Sequence, residues 1–379
     1  MMRLATIVGA RPQFIKAAAL SRAIGEHFNK RISEILVHTG QHFDHNMSQV
    51  FFDELEIEPP SYSLTTGAGT HGAQTAAMLA EVEKVLLYEK PDAVLVYGDT
   101  NSTLAGALAA AKLHMPLIHV EAGIRSFNKM MPEEINRVTC DHLSSILFTP
   151  SDAGVLNLQS EGLTMKNFQK ASINNPVVYR CGDIMLDVSM HAAHKVSQMS
   201  LSQLGIAFVN EDFAVCTIHR DSNTDDEKRL HTLLETLCKL IENIKIDIVF
   251  PLHPRTAKSI GPSGLQKLKL IKGLHVTEPL SYFDMQLLLQ HCKLVLTDSG
   301  GLQKEAYFSR KPVIVLRSET EWIELVDSGF ATVCDADETR IIDAAKHYMK
   351  SPPAAWPALY GDGRAAHFIC EKILAHLNS

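Results

Sequence analysis

The sequence lacks long apolar runs, an excess of positive charge and closely spaced cysteines. No uncharged apolar run in the 379 residues approaches the ~18 residues of a membrane-spanning helix, and Arg11 and Lys16 interrupt the first apolar segment too early for a signal peptide. The formal net charge of -7 argues against nucleic acid or an anionic membrane as a partner. Seven cysteines without any C-x-x-C pair are typical of reduced thiols. We therefore expect a cytoplasmic globular protein.

The chain also lacks a convincing cofactor or metal motif. It contains no G-x-x-x-x-G-K-[ST] sequence, and its G-x-G-x-x-G match at 67–72 follows a Pro-Pro-Ser-Tyr loop rather than a buried strand. Two histidine pairs, His38 with His42 and His191 with His194, have spacings that metal ligands can use. The first pair falls on a strand and turn and the second on a generic helix. We expect neither a cofactor nor a metal ion.

Apolar runs alternate with helical patterns along the chain, and this alternation predicts an α/β fold with doubly wound parallel sheets. A chain of this length exceeds a single hydrophobic core. We predict two such domains of similar size, joined near Gly182, with a cleft between them. The predicted strands are 4–8, 32–38, 93–97, 117–120, 146–149, 177–180, 213–217, 247–251, 294–297 and 312–316. The predicted helices are about 12–28, 47–55, 74–89, 102–113, 132–143, 226–242, 283–291 and 302–309.

Carboxylates follow two neighbouring strands of the first predicted sheet. Asp99 ends the run A-V-L-V-Y-G-D, and Glu121 ends the run L-I-H-V-E. Such apolar runs are typical of buried parallel strands, whose carboxyl ends build sites in open sheets. Glu133 and Glu134 follow shortly afterwards in M-P-E-E-I-N-R. The acids indicate acid–base chemistry, although Asp99 is also suited to cap the helix that starts at Thr100.

The second half contains a candidate anion site in L-V-L-T-D-S-G-G-L-Q-K-E. Its strand ends at a turn formed by Ser299, Gly300 and Gly301, and the backbone N–H groups of a turn that opens a helix favour phosphate. Glu305 lies one turn into the helix, where it could accept hydrogen bonds from a ribose diol. The alternative is a plain strand–turn–helix corner with a serine cap.

The first domain has a matching corner, G-A-R-P-Q-F-I-K, in which Arg11 and Lys16 would bring positive charge to the cleft. Pro12 fits the first position of a helix. His219 ends a strand of the second domain and could donate a hydrogen bond to a pyrophosphate. The alternative is that His219 is an ordinary histidine of the core or the surface, with no role in binding.

The motifs G-A-R-P-Q-F-I-K, G-D-T-N-S-T, H-V-E-A-G-I-R, P-E-E-I-N-R, H-R, T-D-S-G-G-L-Q-K-E and L-R-x-x-T-E occur in this order and together resemble the non-hydrolysing UDP-N-acetylglucosamine 2-epimerase family. The resemblance covers essentially the whole chain. It implies two Rossmann-like domains in a glycosyltransferase-B-like arrangement, 1–182 with a returning C-terminal helix at 365–379, and 183–364. It also implies a homodimer acting on a UDP-sugar for bacterial surface polysaccharide synthesis. The catalytic positions that it implies are Asp99, Glu121, Glu133 and His219, and the substrate-binding or UDP-binding positions are Arg11, Lys16, Gln41, His42, Ser299, Gly300, Gly301, Glu305 and Arg317.

The chemistry of such a reaction explains this set of residues. The C2 hydrogen of a 2-acetamido sugar has no adjacent carbonyl to acidify it, so inversion needs either transient oxidation at C3, which requires NAD, or loss of the C1 leaving group. Because no NAD site is visible, we predict elimination of UDP to a 2-acetamidoglucal and re-addition. That route needs a base and an acid on opposite faces of C2 and donors for the departing pyrophosphate. Domain closure would retain the intermediate.

Several motifs depart from the family pattern. Members acting on UDP-GlcNAc commonly carry G-T-R-P-E, H-R-R-E and E-R-P, where this chain has G-A-R-P-Q, H-R-D-S at 219–222 and E-W at 321–322. With Q-H-F-D at 41–44, these variants favour the branch acting on UDP-2,3-diacetamido-2,3-dideoxyglucuronate. They also leave allosteric activation by substrate open.

Three cations near the predicted base, Arg125, Lys129 and Arg137, are candidates to bind the carboxylate of a uronate, and the arginines are alternatively structural partners of the neighbouring glutamates. A glycosyltransferase of the same fold and a non-catalytic UDP-sugar sensor are the competing functions.

Overall fold

The computed structural model describes residues 1–41, 58–66, 69–164 and 171–377. The helix predicted for 47–55 lies outside these ranges. The chain divides into two compact units, one formed by Met1–Val188 with Ala358–Ser379 and the other by Ser189–Pro357. The domain limits predicted at 182/183 and 364/365 lie a few residues from these divisions.

The first unit is built on a parallel sheet with the strand order β3-β2-β1-β4-β5-β6-β7, seven strands within the described residues. The strands are β1 Met2–Val8, β2 Ile32–His38, β3 Tyr62–Ser63, β4 Ala93–Tyr97, β5 Leu117–Val120, β6 Ile146–Thr149 and β7 Val177–Arg180. The helices are α1 Arg11–Ala23, continued by a π-helical turn Ile24–Phe28, α2 His71–Glu89, α3 Asn101–Lys112, α4 Pro132–Leu143, α5 Asp152–Ser160 and α14 Ala365–Leu377. Helix α6, Ile184–Val196, contains the division between the units at Val188 and Ser189.

The second unit is built on a parallel sheet with the order β10-β9-β8-β11-β12-β13. Its strands are β8 Phe213–Thr217, β9 Asp247–Pro251, β10 Leu274–Thr277, β11 Leu294–Thr297, β12 Val313–Val315 and β13 Ala331–Val333. Its helices are the short α7 Asp221–Thr224, then α8 Glu227–Ile244, α9 Pro254–Lys269, α10 Tyr282–His291, α11 Gly300–Phe308, α12 Ile323–Asp327 and α13 Glu338–Lys350, with a 3-10 turn at Leu201–Leu204. The predicted fold class, two α/β domains with parallel sheets, is confirmed. The placement of a site in a cleft stays a prediction.

Continuous apolar runs explain the central strands. All residues of β4, β5, β6 and β9 are buried, as expected for parallel strands covered by helices on both faces. None of the helices among the described residues is long and apolar enough to cross a membrane.

The elements that the sequence did not reveal have physical reasons. The edge strand β10 is mostly half-buried, so its residues L-H-V-T show no apolar run. Helix α9 contains a break at Gly261, with a φ of +71°, followed by Pro262, and these residues obscure a helical pattern. The strands β1, β4 and β5 lie side by side, so the residues that follow them share one edge of the first sheet.

Asp187 holds the start of the last helix in the first unit. Its carboxylate accepts the backbone N–H groups of Ala365 at 3.1 Å and Ala366 at 2.8 Å. Burial raises the pKa of Asp187 from 3.8 to about 6, although those N–H groups favour the ionised form. The folded protein therefore binds this proton more tightly than the unfolded chain does. The resulting stabilisation is present below the unfolded pKa and is lost as the pH rises through the folded pKa.

Replacing Asp187 with asparagine should change how stability depends on pH. Asp187→Asn removes the titration but keeps an oxygen acceptor for the helix. Between about pH 4.5 and about pH 7.5 we expect its free energy of unfolding to improve relative to wild type by about 2 kcal/mol, measured by chemical denaturation. Asp152→Asn, at a carboxylate whose side chain is 78% exposed, is the control. The role of Asp187 would be contradicted if the unfolding free energies of Asp187→Asn and wild type differed by the same amount at the lower and the higher pH.

Candidate active site

Asp99 and Glu121 lie at the carboxyl ends of the adjacent strands β4 and β5. The Gly98 N–H donates to the Val120 carbonyl at 3.0 Å. A Cβ placed on Gly98 would lie 3.1 Å from Oε2 of Glu121, so this carboxylate lies against the main chain of the residue that precedes Asp99. Gly98 also has a φ of +60°, which favours glycine. The structure therefore brings the two predicted acids together at one edge of the sheet.

Glu121 has an unusual backbone conformation and a charged partner. Its φ is +73°, in the left-handed region that non-glycine residues rarely adopt, and such outliers cluster at functional sites. Its N–H donates to the Phe148 carbonyl at 2.9 Å, which holds this conformation. Nζ of Lys16 forms an ion pair with Oε2 of Glu121, and each side chain is only 10% exposed. Lys16 thus lies at the Glu121 carboxylate, and its predicted contact with a nucleotide stays a prediction.

Asp99 is oriented by two residues of α4. Arg137 pairs with its carboxylate at 2.5 Å, and the side-chain amide of Asn136 donates to its carbonyl at 2.8 Å. Its side chain remains 29% exposed. The predicted capping role of Asp99 is wrong, because Thr100 is the N-cap of α3 and its hydroxyl accepts the Thr103 N–H. The Asp99 carboxylate is therefore held by a side chain rather than by the helix.

Glu133 and Glu134 have different environments. Glu134 is buried and accepts hydrogen bonds from the Ser126 N–H at 2.9 Å and the Phe127 N–H at 3.0 Å. Burial opposes its ionisation, but these bonds and Arg137 outweigh the burial and lower the pKa of Glu134. Glu133 is half-buried and makes no hydrogen bond or ion pair within the described residues. Glu134 therefore anchors the segment after β5, and Glu133 is the acid that could meet a substrate.

The two arginines considered for a uronate are both committed to carboxylates. Arg125 donates to Glu161 through Nε and Nη2, both at 2.7 Å, and pairs with Asp141 at 2.7 Å. Arg137 pairs with Asp99 and, at 3.2 Å, with Glu134. The structural alternative, pairing with a neighbouring glutamate, holds for Arg137 alone. The acids bound by Arg125 are Asp141 and Glu161 rather than the neighbouring glutamates.

Lys129 is the remaining cation of this group. It is exposed and unpaired within the described part of the chain. The segment that carries it is ordered by its own hydrogen bonds, since Asn128 Oδ1 accepts the Met130 N–H at 3.1 Å.

Gln13 explains one departure from the family pattern. Its Oε1 accepts the N–H groups of Gly9 at 2.8 Å and Ala10 at 3.1 Å, and its Nε2 donates to the Tyr97 carbonyl at 2.8 Å and the Thr103 hydroxyl at 2.9 Å. The side chain is 1% exposed and ties the end of β1 to the end of β4. An ionised glutamate could not donate the two Nε2 bonds.

Gln41 is used to hold the start of α3, because its Oε1 accepts both the N–H at 2.9 Å and the hydroxyl at 2.6 Å of Ser102. His42 and the side chain of Arg11 lie outside the described part of the structure, so their predicted roles stay predictions. Within the described ranges no group of three or more His, Cys, Asp or Glu side chains could hold a metal ion.

In the second unit, Asp298 orients the predicted catalytic histidine. Asp298 is completely buried, and it accepts the His219 N–H at 2.9 Å and pairs with Nδ1 of His219 at 3.1 Å. Burial opposes its ionisation, but the contacts with His219 and the N–H groups of His219 and Arg220 outweigh the burial and lower the pKa of Asp298. Nδ1 of His219 is therefore bound to Asp298, and Nε2 is the ring nitrogen that can contact a ligand.

The predicted anion turn opens helix α11. Ser299 is the N-cap and its hydroxyl accepts the Leu302 N–H at 3.4 Å, while Gly300 and Gly301 form the first helical positions. A Cβ on Gly300 would lie 2.4 Å from Oε1 of Glu321, so a side chain there would have to displace the Glu321 carboxylate. The serine-cap alternative is therefore correct as a description of Ser299, and it is compatible with anion binding.

The segment after β12 holds this turn in place. Nε1 of Trp322 donates to the Gly300 carbonyl at 2.9 Å, and Nζ of the buried Lys304 lies 4.1 Å from the centre of the Trp322 ring. Arg317 pairs with Glu321 at 2.9 Å. Trp322, one of the residues that depart from the family pattern, thus fixes the turn through the Gly300 carbonyl.

Glu305, predicted to bind a ribose, accepts a hydrogen bond from the side-chain amide of Gln286 at 3.3 Å. Its carboxylate is 9% exposed. This contact positions Glu305 within the second unit and does not test the ribose role.

Sequence reasoning missed His253. It follows β9, caps α9 through Nδ1, which accepts the Arg255 N–H at 3.1 Å, and its ring centre lies 5.4 Å from that of His219. The signal was available, since P-L-H-P places a histidine at the end of a buried strand that neighbours β8.

The first unit has oriented acids at its sheet edge, and the second unit has a serine-capped turn of the kind that can bind an anion; both features are typical of α/β enzymes. The family model described as UDP-N-acetylglucosamine 2-epimerase matches residues 26–374 of the chain. The protein belongs to this family and is an isomerase.

The chain is similar to its relatives over nearly its full length. It is 46% identical over 372 residues to the UDP-2,3-diacetamido-2,3-dideoxy-D-glucuronate 2-epimerase of Pseudomonas aeruginosa, covering 98% of this chain and 99% of that protein. It is 38% identical over 372 residues to the UDP-N-acetylglucosamine 2-epimerase of Methanocaldococcus jannaschii, covering 97% and 98%. The crystal structure of the latter enzyme with UDP-GlcNAc and UDP has a TM-score of 0.87 at 37% identity, covering 99% of this chain and 100% of that chain. The predicted family is confirmed.

Proposed function

We propose that this protein inverts C2 of a UDP-2-acetamido sugar without a cofactor. The observation that carries the proposal is the pair of oriented carboxylates, Asp99 with Arg137 and Glu121 with Lys16, at neighbouring strand ends of a chain in this family. Two acids held at one sheet edge supply the base and the acid that inversion requires.

The proposed reaction is an elimination followed by an addition. A carboxylate removes the C2 proton while the C1–O bond breaks, which gives a 2-acetamidoglucal and UDP. The second acid then protonates C2 from the opposite face, and an oxygen of UDP forms the C1–O bond again. No electrons are gained or lost overall, so no oxidant is consumed.

The proposed roles combine the described contacts with the positions that the family resemblance implies. Asp99 and Glu121 exchange the C2 protons, with Glu133 as a further acid at the same edge. The N–H groups of the Ser299–Gly301 turn and Nε2 of His219 stabilise the departing diphosphate, assisted by Arg11 and Lys16. Gln41, His42, Glu305 and Arg317 complete the substrate-binding set.

A 2,3-diacetamido uronate is the substrate that we favour over UDP-GlcNAc. The relative from Pseudomonas aeruginosa carries that activity in its name, and the motif departures point to the same branch. Lys129, exposed on a segment anchored by Glu134 beside Arg137, is the cation that we assign to the C6 carboxylate. We further propose a cytoplasmic homodimer serving polysaccharide synthesis, on the family resemblance alone.

Exchange of the C2 hydrogen separates this function from a glycosyltransferase and a non-catalytic sensor. The UDP-sugar is incubated with the protein in D₂O without any acceptor, and the H2 signal is followed by proton NMR. An epimerase replaces H2 by deuterium, whereas the two alternatives leave it unchanged.

Neutralising either central acid should abolish turnover. Asp99→Asn and Glu121→Gln each remove a proton-transfer group, and we expect losses of several orders of magnitude in turnover number with the fold intact. The H2 exchange assay measures the loss of turnover, and a melting curve tests whether the fold is intact. Near-wild-type exchange in either variant would refute the assignment.

Trp322→Phe should weaken UDP binding. It keeps a ring beside Lys304 but removes the hydrogen bond to the Gly300 carbonyl, so we expect the dissociation constant of UDP, measured by calorimetry without Mg²⁺, to rise about 10-fold. Trp356→Phe is a matched control, because that indole stacks on Phe330 with ring centres 4.6 Å apart. Equal affinities for wild type and Trp322→Phe, or a strict need for a divalent ion, would count against the proposed turn.

The substrate assignment has its own test. We expect kcat/KM for the 2,3-diacetamido uronate to exceed that for UDP-GlcNAc by at least ~100-fold, because a charged hydrogen bond is worth a few kcal/mol. Lys129→Met should remove much of this preference, whereas Lys112→Met, on helix α3, should not. Equal or better turnover of UDP-GlcNAc by the wild type would overturn the uronate assignment.

A further inference from the structure

A histidine that the proposed reaction does not use lies two residues before Glu121. His119 is on β5 and its side chain is completely buried. Nδ1 lies 2.7 Å from Oδ1 of Asp141, and Nε2 lies 2.8 Å from the carbonyl oxygen of Gly98. Both ring nitrogens therefore face oxygen atoms.

The chemistry of these partners decides where the protons are. A backbone carbonyl can only accept, so Nε2 of His119 must carry a hydrogen. Asp141 is also completely buried, and its second oxygen already accepts from Arg125 at 2.7 Å and from the Gly123 N–H at 3.1 Å. The positive charge of Arg125 and the hydrogen bond from Gly123 favour the ionised form of Asp141 independently of His119. An ionised Asp141 requires a hydrogen on Nδ1 as well.

The arrangement ties the two candidate acids to one ring. The Gly98 carbonyl belongs to the peptide that carries the Asp99 nitrogen, and the Gly98 N–H is bonded to β5. The Glu121 carboxylate lies against the same glycine. A shift of the His119 ring would therefore displace the peptide before Asp99 and the surface that Glu121 contacts.

We propose that His119 is a buried imidazolium ion that positions Asp99 and Glu121 for proton transfer. The inference rests on the proposed function for its catalytic part, while the protonation of the ring stands independently of it. The charge is balanced locally, since Asp141 lies between His119 and Arg125, and Arg125 continues to Glu161. His119 is a positioning residue, because it acts through the Gly98 peptide rather than on the substrate.

The protonation is tested by NMR of protein labelled with ¹⁵N at histidine. At about pH 7.5 we expect one-bond N–H correlations from both ring nitrogens of His119, assigned by their loss in His119→Gln, because burial slows exchange with water. A His119 ring that shows one N–H group would overturn the imidazolium assignment. This result does not depend on the substrate.

The positioning role is tested with His119→Gln and with Asp141→Asn, in case one variant fails to fold. Each should lower kcat about 100-fold, since small misplacements of reacting groups cost that much, while the stoichiometry and affinity of UDP binding stay as in wild type. The melting temperature is expected to fall, because each variant leaves a buried charge without its partner. His142→Gln is the matched control, because its side chain is 46% exposed and contacts the same network only through Glu161.

The outcomes separate the two proposals. Wild-type kcat in a folded His119→Gln protein would refute the positioning role. A proportional loss of UDP-binding stoichiometry and activity would show a structural role alone and would also refute it. Absence of H2 exchange in the wild type would instead refute the proposed epimerase reaction.

Discussion

The pairing of buried charges at the carboxyl edge of the first sheet is the constraint on which the site depends. Burying a carboxylate or an ammonium group costs several kcal/mol unless a partner compensates it. At this edge three acids have such a partner: Glu121 has Lys16, Glu134 has Arg137, and Asp141 has His119 with Arg125. The pairs of Lys16 with Glu121 and of His119 with Asp141 link residues that are distant in sequence, so these contacts also fix the strand ends relative to one another.

In the second unit a single acid, Asp298, fixes two strand ends relative to one another. Asp298 accepts the N–H groups of His219 and Arg220 and the side-chain amide of Asn223, all between 2.9 and 3.1 Å. It thereby joins the end of β11 to the segment that follows β8. Asp298 therefore connects the turn that begins at Ser299 to the ring of His219. The turn and the ring would bind the same anion. A buried hydrogen-bonded carboxylate of this kind orients its neighbours more strictly than a surface pair would.

Much of the fold followed from the sequence, because parallel strands covered on both faces are continuous apolar runs that end at polar residues. The bounds predicted for β4, β5, β6 and β9 are those of the structure. The half-buried edge strand β10 and the broken helix α9 carry no such signal. The positions of Asp99 and Glu121 were predictable as strand ends, whereas their partners were not. Arg137 and Lys16 are ordinary surface residue types, and only the folded chain shows which acids they meet.

Two departures from the common family pattern hold the turns. Gln13, where the common pattern has a glutamate, links two strand ends through bonds that an ionised glutamate cannot make. Trp322, where the common pattern has an arginine, fixes the carbonyl of Gly300 from outside the turn. Because both side chains hold the backbone, the cation for the uronate that we propose has to be one that remains uncommitted to the fold. In the first unit that condition is met by the segment after Glu121, in which Glu134 fixes the backbone while Lys129 remains exposed.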